Sequence, residues 1–160
     1  PKHKRAATHI SAELKAGRVT KIYWAVVAGQ PKEDSWTVSE PIGKLNKFRY
    51  GVITPGKEST TEFRVVAKGE TSTLVEARPL TGRTHQIRVH LLHCGLPIVG
   101  DTTYGGPQAS RMMLHCRTMA FKGLHNKPVS ATAPVDALFL GLCRELGAAD
   151  LDASKDPSHE

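Results

Sequence analysis

A chain of 160 residues, 39% hydrophobic and 23% charged, has the size and composition of one domain with its own core, which excludes wholesale disorder. The net charge is +7, and because Glu145, Asp150, Asp152, Asp156 and Glu160 crowd the end beside one base, Lys155, the residues before Glu145 carry 21 basic against 10 acidic side chains, an excess that suits a polyanionic partner without requiring one. Cys94, Cys116 and Cys143 are odd in number and lack CxxC spacing, no apolar run could cross a bilayer, and the opening PKHKRAATHIS has no signal-peptide core, so the expectation is an intracellular protein with neither a disulfide framework nor a membrane partner.

In chain order, AATHISAELKA (6–16) sets Ile10 and Leu14 at helical spacing, and Gly17 follows where a helix end favours a left-handed residue. In VTKIYWAVVAG (19–29), Val19, Lys21, Tyr23, Ala25 and Val27 alternate with Ile22, Trp24 and Val26, and two largely apolar faces predict an interior strand. Gly29, Gln30 and Pro31 end it, and the stretch up to Pro55 and Gly56 reads as loops with short extended pieces. TTEFRVVA (60–67) and STLVEARP (72–79), separated by Lys68, Gly69 and Glu70, predict a hairpin that Pro79 stops. Thr84 is placed to cap a helix over HQIRVHLLHC (85–94), with Ile87 and Leu91 four apart and Gly95 as terminator, so RTHQIR falls at a strand-to-helix turn. Short strands at 111–117 and 128–133 and an amphipathic helix from Asp136 to about Leu146 complete a domain over 1–146; residues 147–160 read as a disordered acidic tail. Helix, strand, hairpin, helix, strands and helix do not repeat βαβ units, which predicts an α+β fold with a mixed, mainly antiparallel sheet and flanking helices.

Six segments, KIYWAVVAG (21–29), EPIGK (40–44), TEFRVV (61–66), LVEARPLTGRTHQIRVHL (74–91), GLPIVGDTTYGG (95–106) and RMMLHC (111–116), together resemble the RluA-like RNA pseudouridine synthases over about residues 6–135. The resemblance implies the C-terminal portion of the pseudouridine synthase fold and the isomerisation of uridine to pseudouridine in rRNA or tRNA. The N-glycosidic bond breaks, the uracil turns in the site, and its C5 rejoins ribose C1′, with no cofactor and no metal. It implies that Tyr23 stacks on the uracil and helps remove the C5 proton, and that Arg88 pairs with a nucleophilic aspartate. Leu114 would pack against the base, Arg83, Thr84 and His85 would shape the turn, and Lys21, with Lys2, Lys4, Arg5, Lys15 and Arg18, would hold phosphates. A carboxylate suits covalent attack, a guanidinium keeps it ionised and aimed, and a flat ring replaces the stacking that a flipped base loses.

The family's HRLD-type motif, which carries that aspartate, occurs nowhere in the 160 residues. Asp34 follows a turn and Asp101 sits in a Gly-Asp pair that the family shares, so neither is expected to replace it. The opening Pro1 fits a fragment or a processed product, and the expectation is an inactive truncated piece of a monomeric enzyme whose partner is RNA. The alternative is a non-catalytic RNA-binding or ribosome-assembly protein on the same fold. Plainer readings make Tyr23 a core aromatic and Arg88 a structural ion-pair donor. His93-Cys94 and His115-Cys116 are zinc-ligand types, but adjacent residues point apart and no ligand spacing appears. Gly105 and Gly106 read as a turn rather than an anion nest.

Overall fold

In a computed structural model, residues 3–145 are described; the tail expected over 147–160 lies outside them. The chain begins with α1 (Lys4–Lys15) and the strand β1 (Thr20–Ala28). The helix stops as expected: Gly17 takes φ 70°, its N–H bonds the Leu14 carbonyl at 3.2 Å, and the Arg18 N–H reaches the Glu13 carbonyl at 3.0 Å. This paired closure satisfies carbonyls that the helix end would otherwise strand. The same device ends α2 (Gln86–His93), where Gly95 has φ 72° and Leu96 bonds back to Leu91 at 2.9 Å.

The stretch between Gly29 and Gly56, read as loops with short extended pieces, holds such pieces as three short strands. They are β2 (Ser35–Ser39), β3 (Ile42–Lys44) and β4 (Tyr50–Val52), each too short for a periodicity signal to emerge. The expected hairpin is β5 (Thr60–Lys68) paired with β6 (Ser72–Pro79), and the two later strands are β7 (Leu114–Lys122) and β8 (Pro128–Thr132). Strand β7 thus starts three residues later than the 111–117 reading and runs five further. Six strands make one sheet in the order β2-β5-β6-β1-β7-β8, and β3 with β4 makes a separate small sheet; every pairing is antiparallel. This is the α+β arrangement read from the sequence, with β1 interior as its two apolar faces require.

Register decides which residues share a face. Tyr23 lies opposite Ala77 on β6 and Cys116 on β7, and Phe63 lies opposite Ala77, so these four point one way. Trp24, His115 and Glu76 point the other way. On that second face the His115 ring meets Phe139 of α3 (Ala137–Glu145) at 6.0 Å, and Asp136 caps α3 by accepting the Phe139 N–H at 2.9 Å. The first face is covered by α2.

A polar seam joins α2 to the start of β5. His90 is fully buried, with Nδ1 at 2.9 Å from Thr61 Oγ1 and Nε2 at 3.1 Å from Ser59 Oγ, which itself donates to the Glu40 carbonyl. Burial, with a smaller push from His93, holds its pKa below the ordinary 6.5, and the Glu40 carbonyl opposes this only in part. His85 is lowered in the same direction by burial and then by Arg88, against Asp101. A histidine with a depressed folded pKa contributes stability that is complete above its unfolded pKa and declines as pH falls towards the folded value. The melting temperature is therefore expected to hold above about pH 6.5 and to drop on acidification below it. His90→Gln should flatten that drop, and a slope equal to the wild type's across pH 8 to 5 would show that His90 is not its source.

Candidate active site

The strand-to-helix turn after Pro79 is fixed by Gln86. Its Oε1 accepts from Thr81 Oγ1 at 2.8 Å and from the Arg83 N–H at 2.9 Å, while Nε2 donates to the Thr60 carbonyl at 2.9 Å and to Thr61 Oγ1 at 3.0 Å. All four hydrogen-bonding positions of a buried amide are used, which ties the turn to β5. The expected cap is corrected: Thr84 is exposed, the helix is preceded by His85 in the left-handed region at φ 57°, and no side chain caps it. Once Gln86 holds the Arg83 N–H, the chain turns through His85 and leaves Thr84 facing solvent.

Between this turn and the first face of the sheet lies a cleft of about 300 Å³. Lys21, Tyr23, Arg83, His85, Arg88 and Leu114 all line it, residues drawn from β1, the turn, α2 and β7. Thr84 does not; it lines a neighbouring cavity. Larger cavities exist, such as that of about 560 Å³ beside Trp36 and Cys94, but none of the sequence-derived site residues lines it. The smaller cleft is where the titratable groups converge, which is the better guide to chemistry.

Within the cleft, a bulge in β7 shifts the register between Ile22 and Tyr23, from Thr118 to Cys116, and so sets how Tyr23 meets the neighbouring strand. Burial, and after it the adjacent Cys116 thiol, push the Tyr23 phenol up to about 12. It is therefore protonated at neutral pH. Lys21, on the same face two residues earlier, donates to the Thr81 carbonyl at 3.3 Å, and burial lowers its pKa.

Arg88 is 14% exposed and makes a two-pronged ion pair with Asp101, which is 2% exposed; Nε to Oδ2 and Nη2 to Oδ1 both measure 2.7 Å. Its guanidinium also lies over the Tyr104 ring, 4.6 Å from the centroid. Tyr104 Oη accepts the Tyr50 N–H at 2.9 Å and sits 2.9 Å from His85 Nδ1. Burial and Arg88 hold the His85 pKa below its ordinary value, so near pH 7 the ring is neutral, and one hydrogen bond joins it to the phenol, donated by Tyr104 Oη or by Nδ1 according to the tautomer. Asp101 is itself anchored, its carbonyl accepting from the Tyr104 and Gly106 N–H groups at 3.1 and 2.9 Å. Gly100 before it has φ 81°, and a Cβ there would strike the Arg111 carbonyl.

Asp101 and Tyr104 are the residues that sequence reasoning passed over. Asp101 was considered only as a substitute nucleophile, whereas its carboxylate is committed to Arg88. The signal was the Gly-Asp-Thr-Thr-Tyr run itself, whose glycine marks a close backbone approach just before a carboxylate. The pair occupies one edge of the guanidinium, and Nη1 has no hydrogen-bond partner among the described residues. Arg88 can therefore hold a second anion without releasing Asp101. No three His, Cys, Asp or Glu gather as metal ligands among the described residues, and no helix there is long and apolar enough to cross a membrane.

Comparison with known proteins gives a consistent picture. A family model described as RNA pseudouridylate synthase matches residues 2–93. An RNA pseudouridine synthase of Zymomonas mobilis is 38% identical over 141 residues, 83% of this chain and 64% of the relative. Ribosomal large subunit pseudouridine synthase C of Vibrio parahaemolyticus is 34% identical over 147 residues, 85% of this chain and 47% of the relative. Among solved structures, human RNA pseudouridylate synthase domain containing 1 superposes with a TM-score of 0.77 at 32% identity, over 84% of this chain and 62% of that one. The chain thus spans less than two thirds of the length of each.

Proposed function

Because the chain belongs to the RNA pseudouridylate synthase family, we propose that it forms part of the active site of an enzyme that isomerises uridine to pseudouridine in rRNA or tRNA. The similarity to a ribosomal large subunit synthase favours rRNA, and an RNA substrate puts the reaction inside the cell. The observation that carries the reading is the convergence of Tyr23 and Arg88, 65 positions apart in sequence, on one cleft.

In this reading a carboxylate attacks C1′ of the flipped nucleotide, the bond from N1 to C1′ breaks, and the detached uracil turns between Tyr23 and Leu114. C5 then bonds to C1′ and displaces the carboxylate, C5 loses its proton and N1 gains one, so substrate and product are isomers and the atoms balance without a cofactor. Tyr23 supplies the flat face and an oxygen for the proton. Arg88 offers its unoccupied edge to the attacking carboxylate, while Asp101 and the Tyr104 ring keep the guanidinium from swinging. Lys21 and Arg83 take flanking phosphates. The attacking carboxylate is not among the residues lining the cleft and belongs to an HRLD-type segment outside these 160 residues.

The test is tritium release from RNA carrying 5-tritiated uridine. Residues 1–160 alone are expected to bind the RNA and release nothing, and release should appear when an HRLD-bearing segment is joined to them. Release by the chain alone would mean that the nucleophile has been placed wrongly; binding without release in the joined protein would favour the RNA-binding alternative.

A further inference from the structure

The bulge in β7 changes which side chain Tyr23 meets. Thr118 lies opposite Ile22 and Cys116 opposite Tyr23, so Arg117 is the residue that β7 has in excess. An unbroken ladder continuing from the Thr118 pair would set Arg117 opposite Tyr23, on the face that α2 covers. Instead the Arg117 guanidinium is buried on the other face, 5.2 Å from the Trp24 ring centroid, where Nη1 donates to the Ala133 carbonyl at 2.8 Å. The bulge thus takes a cation away from the phenol and puts a small sulfur in its place.

That exchange has a sign. A guanidinium beside a phenol favours tyrosinate, whereas a sulfur that can become negative, and to which the phenol O–H donates, favours the neutral phenol. Burial is the first reason that the Tyr23 pKa is raised, and Cys116 is the second, through its charge and through a side-chain hydrogen bond. The other titratable groups around the phenol come from different elements: Lys21 from β1, Arg83 and His85 from the turn, and Arg88 from α2, while β6 offers only Ala77 and Pro79. No carboxylate lines the cleft, and of these neighbours Cys116 alone opposes ionisation of the phenol with a charge of its own. The same sulfur opposes the burial that lowers the Lys21 pKa, so it stands close to both ionisable side chains that β1 sends to the cleft.

We propose that Cys116 is a positioning residue for the reaction: brought opposite Tyr23 by the β7 bulge, its sulfur holds the phenol in one orientation at the wall of the cleft and governs how readily that phenol gives up its proton. Cys116 does not line the cleft itself, so it acts on the uracil only through Tyr23. The inference rests on the cleft being the uridine site.

Two measurements test it. In residues 1–160, the tyrosinate absorbance of the wild type less that of Tyr23→Phe follows the Tyr23 phenol alone, over the alkaline range in which circular dichroism shows the fold intact. Cys116→Ala, compared in the same way with its own Tyr23→Phe version, is expected to show about three- to tenfold more tyrosinate at a given pH. Cys116→Ser, which keeps a hydrogen-bond acceptor but does not become negative, should fall between. A role in packing alone would lower the melting temperature and leave this titration where it was. In the protein joined to an HRLD-bearing segment, Cys116→Ala should reach a given single-turnover rate at a lower pH than the wild type, by up to about half a pH unit, because a more abundant phenolate is also a weaker base. An unmoved titration in Cys116→Ala would overturn the proposal and leave the cleft reading standing. A moved titration with identical rate profiles would remove Cys116 from the reaction, and so overturn it too. No tritium release from the joined wild type would sink the cleft reading, and the proposal with it, even where the titration moves.

Discussion

Tyr23→Phe, in a protein that joins these residues to an HRLD-type segment, is expected to slow pseudouridine formation by about 10²- to 10⁴-fold, the usual weight of a positioned proton-transfer group. RNA affinity should change little, because phosphate contacts dominate it and the ring that stacks on the base is retained. Stability should also change little: the phenol lies in a half-buried cleft beside Cys116, and among the described residues no other side chain depends on its oxygen. A second readout follows from the raised pKa. If the tyrosinate takes the C5 proton, its population below a pKa of about 12 rises tenfold for each pH unit, so the wild-type rate of the chemical step should climb with pH across the neutral and alkaline range. The Phe variant should lose that climb along with the rate. Single-turnover rates measured against pH on both proteins separate the outcomes: a flat wild-type profile with a slow variant would keep the oxygen as a proton donor or relay, and an undiminished variant would leave Tyr23 as a stacking surface only.

How far the fold and the site were legible depends on the range of the interactions that set them. Helix α1, the interior strand β1, the hairpin and the two glycine-terminated helix ends were readable, because each is decided by neighbours within a turn or a strand of one another. Strands β2 to β4 were legible only as short extended pieces without bounds or partners. They have five or fewer residues, and β2 exists as a strand only because β5 offers it an edge at a register fixed elsewhere in the chain. Thr84 failed as a cap for a similar reason: the local pattern favoured it, but Gln86 is bound to Thr60, Thr61 and Thr81, and those contacts overrode a local preference. In the site, Tyr23 and Arg88 came from resemblance to a family and not from any property of a tyrosine in an apolar strand. The Arg88 pairing with Asp101 spans 13 residues and a helix end, and nothing in spacing alone marks it. The plainer reading of Arg88 as a structural ion-pair donor turns out to describe one of its edges.

The ion pair with Asp101 and the proposed hold on the attacking carboxylate would put two roles on one guanidinium, which makes Arg88→Met ambiguous by itself. Removing the arginine leaves the Asp101 carboxylate buried without its partner, which costs about 3–5 kcal/mol and should lower the melting temperature by roughly 10 °C or more. Turnover should be lost as well, but a partly unfolded enzyme is also slow, so the single variant cannot distinguish a catalytic arginine from a structural one. The double variant of Arg88→Met with Asp101→Leu can, because replacing both members of a buried pair by apolar side chains is often neutral or stabilising. It is expected to recover most of the lost melting temperature while pseudouridine formation stays abolished, since the guanidinium proposed to hold the attacking carboxylate is gone and Lys21 and Arg83 lack its two-pronged geometry. Asp101→Asn, which keeps the shape and one hydrogen bond, should fall between: a smaller loss of stability, and a slower rate with RNA affinity intact, because the arginine is present but less firmly aimed. Recovery of turnover together with stability in the double variant would reduce Arg88 to a brace between α2 and the loop bearing Asp101, and the cleft would then lose one of the two residues on which its assignment rests.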